Sequence, residues 1–92
     1  MTQQQQQAFN QILNYLQSLP KGTRFSLDKK FYANAYPNNQ LLPTDKRVIG
    51  KEFFSQVSTG KIQYVDLDHY KKYGCKYCDY KDSSNKIHYI TK

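Results

Sequence analysis

The start of this chain lacks charge: no Asp, Glu, Lys or Arg precedes Lys21. Acid is scarce throughout, with seven Asp and Glu against fourteen Lys and Arg. The net charge of +7 therefore rests on residues 21–92 and predicts a polyanionic partner, nucleic acid first, then acidic proteins, then anionic membrane. The plainer reading of the same excess is a surface that keeps a small protein soluble. Long apolar runs are missing too. None approaches the roughly 18 residues of a bilayer-spanning helix, and the N-terminus has no basic region followed by an apolar one, so a cytoplasmic protein with no membrane partner is expected. Cysteine is limited to Cys75 and Cys78, which fits a reducing compartment and argues against a disulfide-built scaffold. The seven acids are scattered, and nothing beside His69 or His88 supplies a nucleophile, a paired carboxylate or a glycine-rich phosphate loop. No enzyme is expected.

What is present is one domain's worth of chain, 92 residues of which 38% are apolar. The core must be modest, and nine Tyr and five Phe supply much of it, because each ring buries a large area. Residues 1–7 hold five consecutive Gln, good helix formers without an apolar face, so a Gln-rich tail or frayed helix start is expected there and a single domain over 8–92. Phe9, Ile12, Leu13, Leu16 and Leu19 then recur at the spacing of a core-facing helix, which Pro20 and Gly22 end.

Residues 23–27 alternate Phe25 and Leu27 with Arg24 and Ser26, the pattern of a short extended segment. Ser26 can cap a helix over 27–35 in which Leu27 and Phe31 form an i, i+4 pair. Tyr36-Pro37-Asn38-Asn39 reads as a turn. The organising stretch is residues 44–61, a helix with Thr44 as N-cap, Asp45 at its positive end and Gly60 closing it in the left-handed conformation. At 100° per residue, Ile49, Gly50, Phe53, Phe54 and Val57 gather on a core side, while Arg47, Lys51, Ser55 and Ser58 gather opposite. Strand formers follow at 62–67 and 87–91, with a turn at Asp82-Ser83-Ser84-Asn85 and a further strand suggested at 75–80. The order αβααββ predicts an α+β fold: a small winged helix-turn-helix-like domain of three helices with a C-terminal antiparallel β-hairpin or three-stranded wing.

Three segments together resemble a group of small winged-helix-like proteins of Gram-positive bacteria and their phages, whose function is largely unassigned. They are Leu19-Pro20-Lys21-Gly22-Thr23-Arg24-Phe25-Ser26-Leu27, Arg47-Val48-Ile49-Gly50-Lys51-Glu52-Phe53-Phe54, and Gly60-Lys61-Ile62. Asp82-Ser83-Ser84-Asn85 leading to Tyr89 matches the group's turn before a final aromatic strand. The resemblance covers most of residues 19–92 and implies a fold and a phage or mobile-element origin. Residues 68–80 depart from it as an insertion.

The segment from His69 to Lys81 interleaves four Lys with four Tyr. Lys neutralises phosphate and Tyr stacks on bases or lies against sugars, so Lys71, Lys72, Lys76, Tyr73 and Tyr77 are candidate nucleic-acid contacts on a wing. The alternative is strand alternation, with Tyr packed inward and Lys in water. Cys75-Lys-Tyr-Cys78 has zinc-knuckle spacing, and His69 and His88 would complete four ligands. A redox pair and two ordinary thiols are the alternatives, and no cofactor is required. With Arg47, Lys51 and Ser55 toward bases or phosphates, the leading expectation is a binder of duplex DNA. The rival is a protein-interaction module, such as a phage-encoded inhibitor of a host protein. Either is compatible with a homodimer through the first helix or the hairpin edge.

Overall fold

A computed structural model describes residues 1–37, 41–69, 80–81 and 86–92. The architecture is α+β: three helices and a small three-stranded antiparallel sheet, in the order αβααββ.

The first helix, α1, spans Gln3–Gln17. It takes in the glutamines expected to fray, because its first turn is tied down. The Thr2 hydroxyl accepts from the Gln5 backbone N–H at 3.2 Å, and the Thr2 N–H donates to Gln5 Oε1 at 2.9 Å, the reciprocal arrangement of a capping box. Gln5 is itself buried, and its Nε2 donates to Asp45 Oδ1 at 2.7 Å. From there the apolar stripe behaves as its spacing predicts: Ala8, Phe9, Ile12 and Leu16 are buried, with Leu13 and Leu19 packed beside them.

Strand β1 is only Arg24–Phe25, but it belongs to the sheet. Helix α2 is Lys29–Ala35, two residues shorter at its start than expected, and its N-cap is Asp28 rather than Ser26. Asp28 Oδ1 accepts from the Phe31 N–H at 2.8 Å. A carboxylate at the positive end of a helix outdoes a hydroxyl two residues upstream. Leu27 thus precedes the helix and forms no i, i+4 pair within it. Asn38 and Asn39 of the expected turn lie outside the described residues, as do residues 82–85 and all but Tyr80 of the suggested strand at 75–80.

Helix α3 spans Pro43–Ser58. Leu42, not Thr44, is its N-cap: proline's fixed φ and missing N–H suit the first helical position, so the helix starts before Thr44. Asp45 becomes the third residue, where Oδ2 accepts from the Leu42 N–H at 3.1 Å. At the other end Thr59 is the C-cap and Gly60 sits at φ +82°, the left-handed position expected of it.

Strands β2, Val65–Leu67, and β3, Tyr89–Thr91, are shorter than the runs of strand formers that contain them. Ile62 is one reason. Its N–H donates to the Gln56 carbonyl at 3.1 Å, so the end of α3 holds it and its side chain enters the core before the sheet begins. The sheet order is β1-β3-β2, which places β3 in the middle, paired to Arg24 and Phe25 on one side and to residues 65–67 on the other. Arg24 on β1 reaches across β3 to the buried Asp68, Nε to Oδ2 at 3.6 Å.

The core is aromatic where helices meet sheet. Phe25 stacks on Phe31 and on Tyr89 with ring centroids 5.2 and 5.4 Å apart, and Phe53 meets Tyr89 edge-on at 4.8 Å. Phe9 closes the cluster against Phe53 at 6.4 Å. Among the described residues no helix is long and apolar enough to cross a membrane.

Candidate nucleic-acid interface

The helix α3 buries one face and leaves the other open. Ile49, Phe53 and Val57 are buried in the core, whereas Arg47, Lys51 and Ser55 are exposed. Their i, i+4, i+8 spacing sets the three in one stripe about 12 Å long at about 1.5 Å of rise per residue. Among the described residues no ion pair ties Arg47 or Lys51. Glu52, at the edge of the stripe, accepts from Gln56 Nε2 at 2.9 Å and so points its carboxylate along its own helix. Ser58 turns away from any outside partner: its hydroxyl donates to the Ser55 carbonyl at 3.2 Å, closing the helix end.

The start of α3 is fixed by Asp45, whose carboxylate accepts from Gln5 and from the Leu42 N–H; those hydrogen bonds hold its pKa below the usual carboxylate value. The Gln5 bond fastens α1 to α3 and the Leu42 bond caps α3 itself, and together they set the position of Arg47, two residues on. Lys46 lies nearer the core, as its helical position predicts, and its Nζ stands 5.1 Å over the ring of Tyr32. Tyr32 is buried, its hydroxyl has no hydrogen-bond partner among the described residues, and burial pushes its pKa up to about 12. Tyr89, in the core beneath, has its pKa raised for the same reason, with Tyr32 and Tyr80 adding to it.

Beside the stripe lies a concave cleft of about 450 Å³ between α3 and the chain around residues 81 and 87. An antiparallel bridge joins Lys81 to Ile87 and brings both to the helix. Lys46, Arg47, Lys51 and Lys81 line it with cations, while Gly50, Phe54 and Ile87 give it a largely apolar floor. Phe54 is half-buried and tilted against Tyr80, centroid to centroid 6.0 Å. Helical arithmetic puts Gly50 with the core residues, but its place is the cleft: a Cβ added there meets no described atom within 4 Å. Lys81 escaped the sequence reading of the site, since only the bridge to Ile87 reveals it as a neighbour of α3.

The other expected contacts, Lys71, Lys72, Tyr73, Lys76 and Tyr77, lie outside the described residues, as do Cys75 and Cys78. Of the histidines proposed to complete a zinc site, His69 is exposed and meets the Tyr80 ring edge-on at 5.7 Å. His88 is half-buried, and its backbone N–H donates to the Tyr80 carbonyl at 2.7 Å. The described residues contain no group of three or more His, Cys, Asp or Glu placed to hold a metal.

The surfaces expected to serve a homodimer are in part taken up within the chain. The stripe of α1 is consumed by the core. On β2, the bonds from Asp68 N–H to His88 and from Lys92 N–H to Tyr64 turn the even-numbered residues toward β3, so the Leu67 N–H faces outward; Asp66 Oδ1 accepts it at 2.8 Å. No protein-family model, curated protein or solved structure matches this chain, so what the open face of α3 does rests on its own residues.

Proposed function

We propose that this chain is a small winged-helix protein that binds duplex DNA in the cytoplasm, a regulator of phage or mobile-element origin. In this reading α3 enters the major groove with Arg47, Lys51 and Ser55 toward bases or phosphates, and the segment between β2 and β3 acts as the wing. The observation that carries it is the exposed stripe of two cations and a hydroxyl on α3, unopposed by any ion pair among the described residues, in a chain of net charge +7. The order αβααββ, with β1 paired to the last strand, also supports the reading. A major groove about 12 Å wide admits a helix, and the stripe runs for about that length.

Fluorescence anisotropy with a random duplex at several salt concentrations tests the proposal. Affinity should fall steeply as salt rises, because each neutralised phosphate releases counterions. Replacing Arg47 and Lys51 together by Glu removes two such contacts and should lower the slope of log K against log salt by about 2. An unchanged slope in that variant refutes the role of α3. No binding even at low salt refutes the DNA reading as a whole and favours the rival, a protein-interaction module such as a phage-encoded inhibitor that turns the same basic face toward an acidic host protein.

A further inference from the structure

Gly50 sits inside α3, where a glycine lowers helix stability relative to alanine. Its usual excuses are missing. Its φ is not in the left-handed region, and an added Cβ meets no described atom within 4 Å. Among the described residues, neither backbone geometry nor internal packing requires a glycine here. What the missing side chain does is keep the floor of the cleft beside α3 open.

That cleft is a poor match for the face of an intact duplex. Stacked base pairs present polar edges in the major groove, and at thymine a single methyl, which is too small to fill a recess of this size. A base outside the stack can, and aromatic and apolar surface is what such a base rests on. The floor here is Phe54 and Ile87 with the bare backbone of Gly50 between cations, and the volume of about 450 Å³ lies within the range that holds small organic ligands. Four cations line the cleft, of which Lys46 stands over the Tyr32 ring; the other three, Arg47, Lys51 and Lys81, exceed the need of one phosphate and suit the successive phosphates that flank a nucleotide in a strand. We propose that the cleft takes a single unpaired nucleotide of the bound DNA, its base against Phe54 and its flanking phosphates on Arg47, Lys51 and Lys81. The inference rests on the DNA-binding reading and adds to it a preference for DNA that carries an unpaired base, whether in a bulge, a mismatch or a strand end.

The test compares a blunt duplex with the same duplex carrying one central bulged thymidine, by anisotropy at a single salt concentration. Wild-type protein should bind the bulged duplex at least about fivefold more tightly, the lower end of what base-on-aromatic stacking supplies. Gly50→Leu fills the floor with a good helix former in open space, so its Tm should equal or exceed the wild-type value while the preference disappears and blunt-duplex affinity is kept. Phe54→Ala reaches the same loss by removing the ring instead of occupying the space. Equal wild-type affinity for both duplexes overturns the inference and leaves the DNA reading intact. So does a preference that survives in either variant, or a Gly50→Leu protein that loses blunt and bulged binding alike, since the cleft would then be part of the duplex surface. Failure to bind either DNA at low salt overturns both proposals.

Discussion

Thr91→Val isolates the side chain that stitches the end of β3 to the turn before β1. Thr91 is 5% exposed, its Oγ1 accepts from the Thr23 N–H at 2.9 Å and donates to the Pro20 carbonyl at 2.7 Å. Valine keeps the branched shape and replaces only the hydroxyl, so no cavity opens. The two former partners fare differently. The Pro20 carbonyl still accepts from the Thr23 hydroxyl at 2.7 Å, whereas the Thr23 N–H retains only a long 3.4 Å approach to that carbonyl. The cost is thus close to that of one orphaned, part-buried donor plus one lost neutral bond, about 2 kcal/mol. For a domain of this size that lowers Tm by about 10 °C. Urea unfolding followed by tyrosine fluorescence or circular dichroism reads the change as a shifted midpoint at constant slope. Thr91→Ser keeps both bonds and gives up one methyl, so it should lose about 1 kcal/mol. A Thr91→Val protein within about 0.5 kcal/mol of wild type, the range of an ordinary surface change, refutes the claim that this hydroxyl holds the sheet to the turn.

Tyr32→Phe removes a buried hydroxyl that has no partner among the described residues and should leave stability equal or raised by up to about 1 kcal/mol; a clear loss would mean that the hydroxyl is bonded. Its titration makes a separate prediction. Folded Tyr32 ionises near 12 and an unfolded tyrosine near 10, so the contribution is whole below pH 10 and is lost between pH 10 and 12 as the unfolded chain gives up its proton first. Alkaline unfolding curves should therefore be shallower in Tyr32→Phe than in wild type. Asp45 works at the opposite end of the scale: its lowered pKa contributes stability that is present above the ordinary carboxylate value and lost as pH falls through and below it. Asp45→Asn should flatten the acid limb of a Tm-against-pH profile; an identical limb would refute the role of the Gln5 and Leu42 bonds.

The order of elements was legible because each carries its own periodicity: the apolar stripe from Phe9 to Leu16, the split faces of Arg47 and Phe53, the strand formers around Val65 and Tyr89. Element ends were not, and the reason is tertiary. Ser26 and Asp28 are both acceptable caps by type, and only the bond to the Phe31 N–H chooses Asp28. The glutamine run has no apolar face to read, yet Gln5 is buried because it meets Asp45 forty residues away. The site divides in the same manner. Turning a helix through 100° per residue is enough to find Arg47, Lys51 and Ser55 on one side. The cleft beside them is invisible to that arithmetic, since it needs Lys81 and Ile87 carried across from another part of the chain, and it reassigns Gly50 from the core to an opening.

The central place of β3 bears on how the protein is made. Strands β1 and β2 are not neighbours in the sheet; among the described residues each is paired only to residues 89–91, which leave the ribosome after both of them. Until then Phe25 and Val65 have no sheet to join, and the ring of Tyr89 that Phe25 and Phe53 pack against does not yet exist. The nascent chain can form its helices but cannot close its core, so a series of chains shortened from residue 92 should pass from unfolded to folded over the few residues of β3, with no stable intermediate length.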